Sequence, residues 1–148
     1  MLKDALIEIF ERDLLKLKEE ISLYKEENSL WITEKNISNS SGNLALHLIG
    51  NLNHFIGATL GNTGYIRERE KEFSDKYIPR TKILHAIDDT IKVVNNTISN
   101  LSKEDFEMDF PLEKHGKMVR TDYMLLHLIW HLSYHLGQIN YHRRLVDF

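Results

Sequence analysis

Residues 127–144 read HLIWHLSYHLGQINYHRR and are the most informative segment of the chain. Three histidines in it, His127, His131 and His135, recur every four residues. In an α-helix with about 3.6 residues per turn, side chains four residues apart lie above one another on one face. Imidazole is a common ligand of transition metals, and two rings at this spacing can bind one ion. The segment therefore predicts a helix that contributes to a metal site.

The flanks of this histidine face indicate which way it points. On a helical wheel, aliphatic residues lie on one side of the histidines and an aromatic stripe lies on the other. The aliphatic residues are Leu125, Leu128, Ile129, Leu132, Leu136 and Ile139, and the aromatic stripe is Tyr123, Trp130, Tyr134 and Tyr141. Because both flanks are of types that are usually buried, we expect the histidines to point inward. We expect the aromatic stripe to lie in the core or in a dimer contact.

Helical periodicity extends through most of the remaining chain. Apolar residues recur at three- and four-residue steps in three further segments: 2–25, 44–60, and from Pro79 to about residue 102. Ser40 and Ser41 are candidate N-caps of the second helix, and Thr121 is the candidate N-cap of the last. We expect residues 26–41 and 103–120 to be irregular connections, and residues 65–78 to be either a short helix or an ordered loop. The pattern predicts an all-α protein.

The size of the chain and its four long helices indicate one architecture. A chain of 148 residues has the usual length of one domain, so we expect a single domain over residues 1–148. Four long helices in such a chain predict a four-helix bundle with long connections. Because two of the connections are long, neighbouring helices could also run parallel.

Composition narrows the class of protein. The net charge of −3 argues against a nucleic-acid-binding protein, which would need a concentrated basic surface. The chain has no cysteine, so a reactive thiol would have to come with the substrate. No secretory signal follows Met1 and no apolar run is long enough to span a membrane. We therefore expect a cytoplasmic protein without a membrane contact.

The second helix carries a matching set of polar residues. His47, Asn51 and His54 stand at i, i+4 and i+7, again on one face. If this face packs against the last helix, a third imidazole lies beside His131 and His135. Three protein ligands and an open position are typical of a catalytic metal site. The sequence therefore predicts one metal site between two helices.

The ligand set has alternatives at this stage. His54 lies on the same face as His47, and His127 competes with His135 as the partner of His131. Asn51, Gln138 and Tyr134 are close enough in sequence to orient the imidazole rings by hydrogen bonds. His142 lies roughly 10 Å beyond His135 along the helix axis, too far to share the same ion.

These two segments resemble the DinB/YfiT-like metal-binding proteins. In that family a histidine on the second helix is followed much later by the motif H-x-x-x-H-x-G-Q-I on the last helix. Residues 131–139 match this motif in full, and His47 within LALHLIGNL matches the first histidine best. The resemblance covers essentially the whole chain. It implies a four-helix bundle in which His47, His131 and His135 bind one divalent ion such as Zn or Ni, and it favours a homodimer.

Three hypotheses about function follow. Members of the family with known activity include thiol-dependent transferases, so the leading hypothesis is a metal-dependent transferase that joins a low-molecular-weight thiol to a small electrophile. A hydrolase that uses metal-activated water is the nearest alternative. A non-catalytic, dimeric module that binds a metal or ligand is the third. The sequence identifies no catalytic residue beyond the metal ligands.

Overall fold

A computed structural model describes the whole chain, from Met1 to Phe148, and it is entirely helical apart from connections and two isolated β-bridges. In chain order the helices are α1 (Leu2–Leu23), a 3₁₀ turn (Glu27–Trp31), α2 (Ser41–Leu52), a π-helical segment (Asn53–Ala58), α3 (Thr59–Gly61), α4 (Arg69–Ser74), α5 (Arg80–Ser99), α6 (Lys103–Glu107) and α7 (Thr121–Val146). The π-helical segment joins α2 to α3 without a break, so the chain has four long helical segments. The all-α prediction is confirmed.

Most predicted helix ends agree with the structure to within a few residues. Ser40 is the N-cap of α2, because its side-chain oxygen accepts a hydrogen bond from the backbone N–H of Asn43. The prediction for Thr121 was wrong, because Arg120 is the N-cap and Thr121 is the first helical residue of α7. The hydroxyl of Thr121 instead donates to the carbonyl oxygen of Met108, which ties α7 to the preceding connection.

The connections contain more regular structure than the sequence indicated. The segment before Pro79 contains the short helix α4, which decides between the two readings of that segment. The segment before α7 was expected to be irregular, but it begins with the one-and-a-half-turn helix α6. Helix α6 starts with a capping box, in which Ser102 and Asp105 each accept a hydrogen bond from the other's backbone N–H. Such short helices depend on their caps because they have few internal hydrogen bonds.

Polar contacts establish that α1 and α5 run antiparallel. The amino group of Lys3, at the start of α1, donates to the carbonyl oxygen of Ser99 at the end of α5. Near the other end, Lys18 forms an ion pair with Asp88, with both carboxylate oxygens within 2.9 Å of Nζ. Residue numbers therefore rise on one helix as they fall on the other.

Helices α2 and α7 are antiparallel as well. The hydroxyl of Ser41, at the start of α2, lies 3.5 Å from Nδ1 of His142, near the end of α7. Two turns further along α2, the ring of His47 meets the ring of His131, which is nearer the start of α7. The face of α2 that was predicted to meet α7 does so.

Helices α1 and α7 run parallel. Glu20 of α1 is almost completely buried and accepts hydrogen bonds from Asn140 and Arg143 of α7. The backbone N–H of Lys25, just after α1, donates to the carboxylate of Asp147, just after α7. The four long segments thus run up, down, down, up, so that α2 is parallel to α5. The long connections make this order possible, because a parallel neighbour requires the chain to return along the whole helix.

One hydrophobic core lies between the four segments. It contains 26 buried apolar residues, which come from all four segments and from the connections and include Leu125, Leu128, Leu132 and Ile139 of α7. Of the two alternatives for the aromatic stripe, the structure contradicts a place in the core: the four side chains are exposed in the single chain, from 54% for Tyr134 to 68% for Tyr141. The reason is that α1 and α2 cover the aliphatic and histidine faces of α7, and no further long helix covers the aromatic face. None of the helices combines the length and hydropathy that a bilayer-spanning segment requires.

Candidate metal centre

Three histidine rings converge where α2 packs against α7. Nε2 of His47 lies 3.1 Å from Nε2 of His131, and Nε2 of His135 lies 3.2 Å from the same atom. The ligand atoms of all three residues lie within 4.8 Å of one another. His131 and His135 share a face because they are four residues apart on α7, and the antiparallel packing brings His47 to that face. The structure therefore brings together the three histidines named from the sequence as metal ligands.

Hydrogen bonds on the outer side of the His47 and His135 rings determine which ring nitrogen carries the proton. Nδ1 of His47 lies 3.0 Å from a carboxylate oxygen of Glu72, which can only accept, so Nδ1–H must be the donor. Nδ1–H of His135 donates in the same way to the amide oxygen of Gln138, at 2.7 Å. Each of these rings therefore presents the lone pair of Nε2 to the centre. Metal-binding histidines are typically oriented by such an outer hydrogen bond.

Glu72 is a residue that the sequence interpretation missed, since it assigned no functional residue to the segment 65–78. It lies on α4 and is 6% exposed. Both of its carboxylate oxygens also accept hydrogen bonds from the guanidinium of Arg67, at 2.9 Å each. This bidentate pair compensates for the cost of burying the carboxylate and holds it against His47.

Gly50 is the sequence signal that could have indicated the contact of Glu72 with α2. It lies in the interior of α2, three residues after His47, where glycine is unfavourable for a helix. A Cβ atom at this position would lie 2.6 Å from the carboxyl carbon of Glu72, and closer still to one of its oxygens. The carboxylate of Glu72 thus occupies the space that a side chain at residue 50 would fill.

The donor set fits a divalent transition-metal ion. An ion bound tetrahedrally at about 2.0–2.1 Å from each nitrogen separates the nitrogens by about 3.3 Å, close to the two separations of 3.1 and 3.2 Å observed here. Without a cation, the lone pairs of His47 and His135 both face Nε2 of His131, which has at most one proton to donate. A cation among the three nitrogens removes this conflict.

The protonation of the rings also suits metal binding. Burial, together with the proximity of His135 and His47, lowers the pKa of His131 to about 3. Burial likewise lowers the pKa of His47, although the carboxylate of Glu72 opposes this shift. Both rings are therefore neutral at pH 7. A neutral imidazole is the form that binds a metal, so little proton release opposes binding.

The alternative ligands from the sequence lie outside the group of three. His54 is seven residues from His47, or about 10 Å along the helix axis, and its ring packs on Phe55. His127 lies one turn before His131, and its ring packs against Trp130 instead. Neither residue belongs to the set of histidines whose nitrogen atoms lie close enough together to share one ion.

The predicted orienting residues have three different outcomes. Gln138 makes a hydrogen bond to His135, as expected. Tyr134 contacts the ring of His135 edge-on at 5.6 Å between centroids but is 54% exposed and makes no hydrogen bond to it. Asn51 is buried beside the site, yet its Oδ1 has no hydrogen-bond partner, and neither does Nδ1 of His131.

Two clefts approach the three histidines from opposite ends of the α2–α7 interface. The first, which we call the α4-side cleft, has a volume of about 280 Å³ and reaches His47 and His131. The second, the α7-end cleft, has a volume of about 440 Å³ and reaches His135 and Gln138. His142 is buried and lines this second cleft, with no partner for its Nε2. The site is therefore accessible to small molecules from two directions.

Comparison with known proteins places the chain in a family without assigning it an activity. The family described as "Protein of unknown function (DUF1572)" matches residues 4–147, which is nearly the whole chain. No curated protein has detectable similarity to it. The match includes all three histidines of the candidate metal centre and both residues of the Glu72–Arg67 pair.

Proposed function

The chain belongs to the DUF1572 family, and we propose that this member is a divalent-metal-dependent enzyme that transfers a low-molecular-weight thiol to a small electrophile. The observation that carries the proposal is the convergence of three Nε2 atoms, two of them with lone pairs directed inward. The resemblance of both histidine motifs to DinB/YfiT-like proteins supports it. We further propose that the four packed helical segments are the four-helix bundle of that superfamily, in a single cytoplasmic domain.

His47, His131 and His135 would hold the ion, with Zn and Ni as the leading candidates. Three neutral nitrogen ligands suit either metal and leave a coordination position open. When bound, a divalent ion supplies a Lewis acid that lowers the pKa of a thiol or of water at that position. The chain has no cysteine, so the thiol would come with the substrate.

The chain's own residues keep His47 and His135 in one tautomer. The carboxylate of Glu72 keeps the proton of His47 on Nδ1, and the amide oxygen of Gln138 does the same for His135. Arg67 holds the carboxylate in place from the other side. Because His47 and Glu72 are both less than 10% exposed, water has little access to this side of the ring. The ring orientation is thus set before any ligand arrives.

The two clefts favour a transferase over a hydrolase. A transfer reaction needs space for two reactants, and one cleft reaches the histidines from each end of the interface. In the reaction the thiol sulfur bonds to an electrophilic carbon, the leaving group departs with the bonding electron pair, and the thiol proton passes to solvent. A hydrolase that uses metal-activated water would need only one such cleft.

Metal analysis and an adduct assay together test the proposal. We expect the purified protein to bind about one equivalent of Zn or Ni and His131→Ala to bind none. Exposed His85 offers a matched control, and His85→Ala should bind the metal like the wild type. We then expect a panel of small thiols to form adducts with a chromogenic electrophile, and chelator to stop the reaction. Equal metal content in wild type and His131→Ala would refute the metal site, and the absence of adducts with every thiol would refute the transferase.

A second candidate function is a dimeric binding module, and the exposed aromatic stripe favours it. Side chains of this size are unusual on a free surface, and together they form an apolar face along α7. We propose that this face pairs two copies of the chain, as the family resemblance implies. Sedimentation should detect a dimer for the wild type and for Leu15→Glu on the exposed side of α1, and a monomer for Trp130→Glu. A monomeric wild type would refute the dimer.

A further inference from the structure

The α4-side cleft is lined by more positive than negative side chains, although the chain as a whole has a net charge of −3. The charged residues that line it are Arg67, Arg69, Lys114 and Glu113. Arg67 is neutralised by its bidentate pair with Glu72. Arg69 and Lys114 have no carboxylate within 4.0 Å, so their charges, less that of Glu113, leave the cleft with one net positive charge.

Arg69 is held in a defined position relative to the metal centre. Its guanidinium carbon lies 5.3 Å from the centroid of the Phe73 ring, a distance typical of a cation–π contact. The ring of Phe73 in turn packs on the ring of His47, with 4.8 Å between centroids. A chain of contacts therefore connects this cation to a candidate metal ligand.

Lys114 reaches the cleft from a tight turn in the connection before α7. The backbone groups of Lys114 and Lys117 exchange two hydrogen bonds, of 2.7 and 3.0 Å. The turn passes through His115 and Gly116, which both have positive φ angles, and Gly116 adopts its angle without strain. His127 also lines this cleft, and its pKa is lowered by burial and, in addition, by the charge of Lys114. Lys114 and His127 therefore face the same space.

Asn51 and His131 each contribute a buried polar atom without a hydrogen-bond partner, which favours a polar ligand. Oδ1 of Asn51 and Nδ1 of His131 are both buried, both residues line this cleft, and neither atom has a partner. A buried, unpaired acceptor costs on the order of 1–3 kcal/mol, so it is normally satisfied by a bound molecule or water. Asn51 is 7% exposed and lines the cleft, so a donor that enters the cleft would satisfy its Oδ1.

We infer that the α4-side cleft binds a small monocarboxylate that also carries a hydroxyl or amino donor. The carboxylate would lie between Arg69 and Lys114, and the donor would satisfy Oδ1 of Asn51. A carboxylate matches the one net positive charge better than a doubly charged phosphate does. This inference deepens the proposed function, on which it rests, because it describes the class of one substrate at the same site.

A titration of the metal-free protein with three small probes tests this inference. Binding is followed by the shifts of backbone amide NMR signals. Lactate has the anion and the donor, propionate has only the anion, and lactamide has only the donor. We expect lactate to bind most tightly and to shift residues 67–69 and 113–116. Lys114→Gln and Arg69→Gln should each weaken lactate binding about fivefold or more, since each removes a charge-assisted hydrogen bond. Lys117→Gln, in the same turn but not lining the cleft, should bind lactate like the wild type.

Asn51→Leu provides an independent readout. It should abolish the preference for lactate over propionate while leaving propionate binding unchanged. Equal binding of lactamide and lactate would overturn the inference, as would equal losses in Lys117→Gln and Lys114→Gln, or tighter binding of inorganic phosphate than of lactate. Because these titrations need no metal, failure of the cleft assignment is distinct from failure of the metal site, which metal analysis detects.

Discussion

Replacing Gly50 with alanine is expected to weaken metal binding through Glu72, although Gly50 makes no contact with a metal ion. The new methyl group would lie 2.6 Å from the carboxyl carbon of Glu72, about 1 Å inside normal contact. Glu72 must then move, and its hydrogen bond to Nδ1 of His47 is lost. Losing such an outer hydrogen bond typically lowers metal affinity about 10- to 100-fold.

The same substitution has a measurable effect on stability. Glycine to alanine within a helix normally stabilises by about 1 kcal/mol, whereas overpacking costs about 1–3 kcal/mol. Gly137 in α7 provides the matched control, because a Cβ there would meet nothing within 4 Å. We therefore expect Gly137→Ala to stabilise the metal-free protein by about 1 kcal/mol and Gly50→Ala to be about 1–3 kcal/mol less stable than Gly137→Ala.

Two assays measure these effects. Competition with a chromogenic chelator gives the metal affinity, and thermal unfolding of the metal-free proteins gives the stability difference. At about 3 °C per kcal/mol for a chain of this length, the melting temperatures of the two alanine variants should differ by about 3–9 °C. The reasoning is refuted if Gly50→Ala binds metal as tightly as the wild type, because the carboxylate would then not orient His47 from this position.

The remaining predictions concern the ligands, pH and the link between α1 and α7. His54→Ala and His127→Ala should retain metal content near that of the wild type, whereas His131→Ala should lose it; elemental analysis of the three variants decides this. In the metal-free protein, burial together with the proximity of His135 and His47 lowers the pKa of His131 to about 3, so the unfolded chain binds a proton that the folded chain does not. Stability should therefore be highest above about pH 6.5 and decline as pH falls towards 3, and urea unfolding at several pH values should show a smaller decline for His131→Ala. Glu20→Ala leaves Asn140 and the partly exposed guanidinium of Arg143 without their acceptor and should lower the free energy of unfolding by about 1–3 kcal/mol. A loss below 1 kcal/mol in urea unfolding would mean that this pair does not hold α1 to α7.

The long helices were predictable because their signals are local. Apolar residues at three- and four-residue steps reveal a helix whatever it packs against, and Ser40 caps α2 through a contact only three residues away. The pairing of His131 with His135 follows from helical geometry alone. The antiparallel contact that adds His47 required only the assumption that two polar faces within an apolar protein pack together.

The errors arose where exposure depends on distant neighbours. The aromatic stripe has the composition of a buried face, but no helix of the same chain covers that side of α7. Thr121 is of a residue type that often caps helices, but its hydroxyl donates to the carbonyl oxygen of Met108 instead. Only the path of the connection makes this contact possible. The type of a side chain predicts which kinds of contact it can make, and the tertiary structure determines which partner it has.

What the sequence by itself determined is the set of long helices and the histidines that could share an ion, because helical spacing places them on one face. The tertiary structure alone decided that the segments run up, down, down, up, and that a charged segment far from both histidine motifs packs Glu72 against His47. Those contacts depend on how the long connections return across the molecule. No local pattern encodes them, because the free energy of a buried carboxylate is set by the partners that folding brings to it.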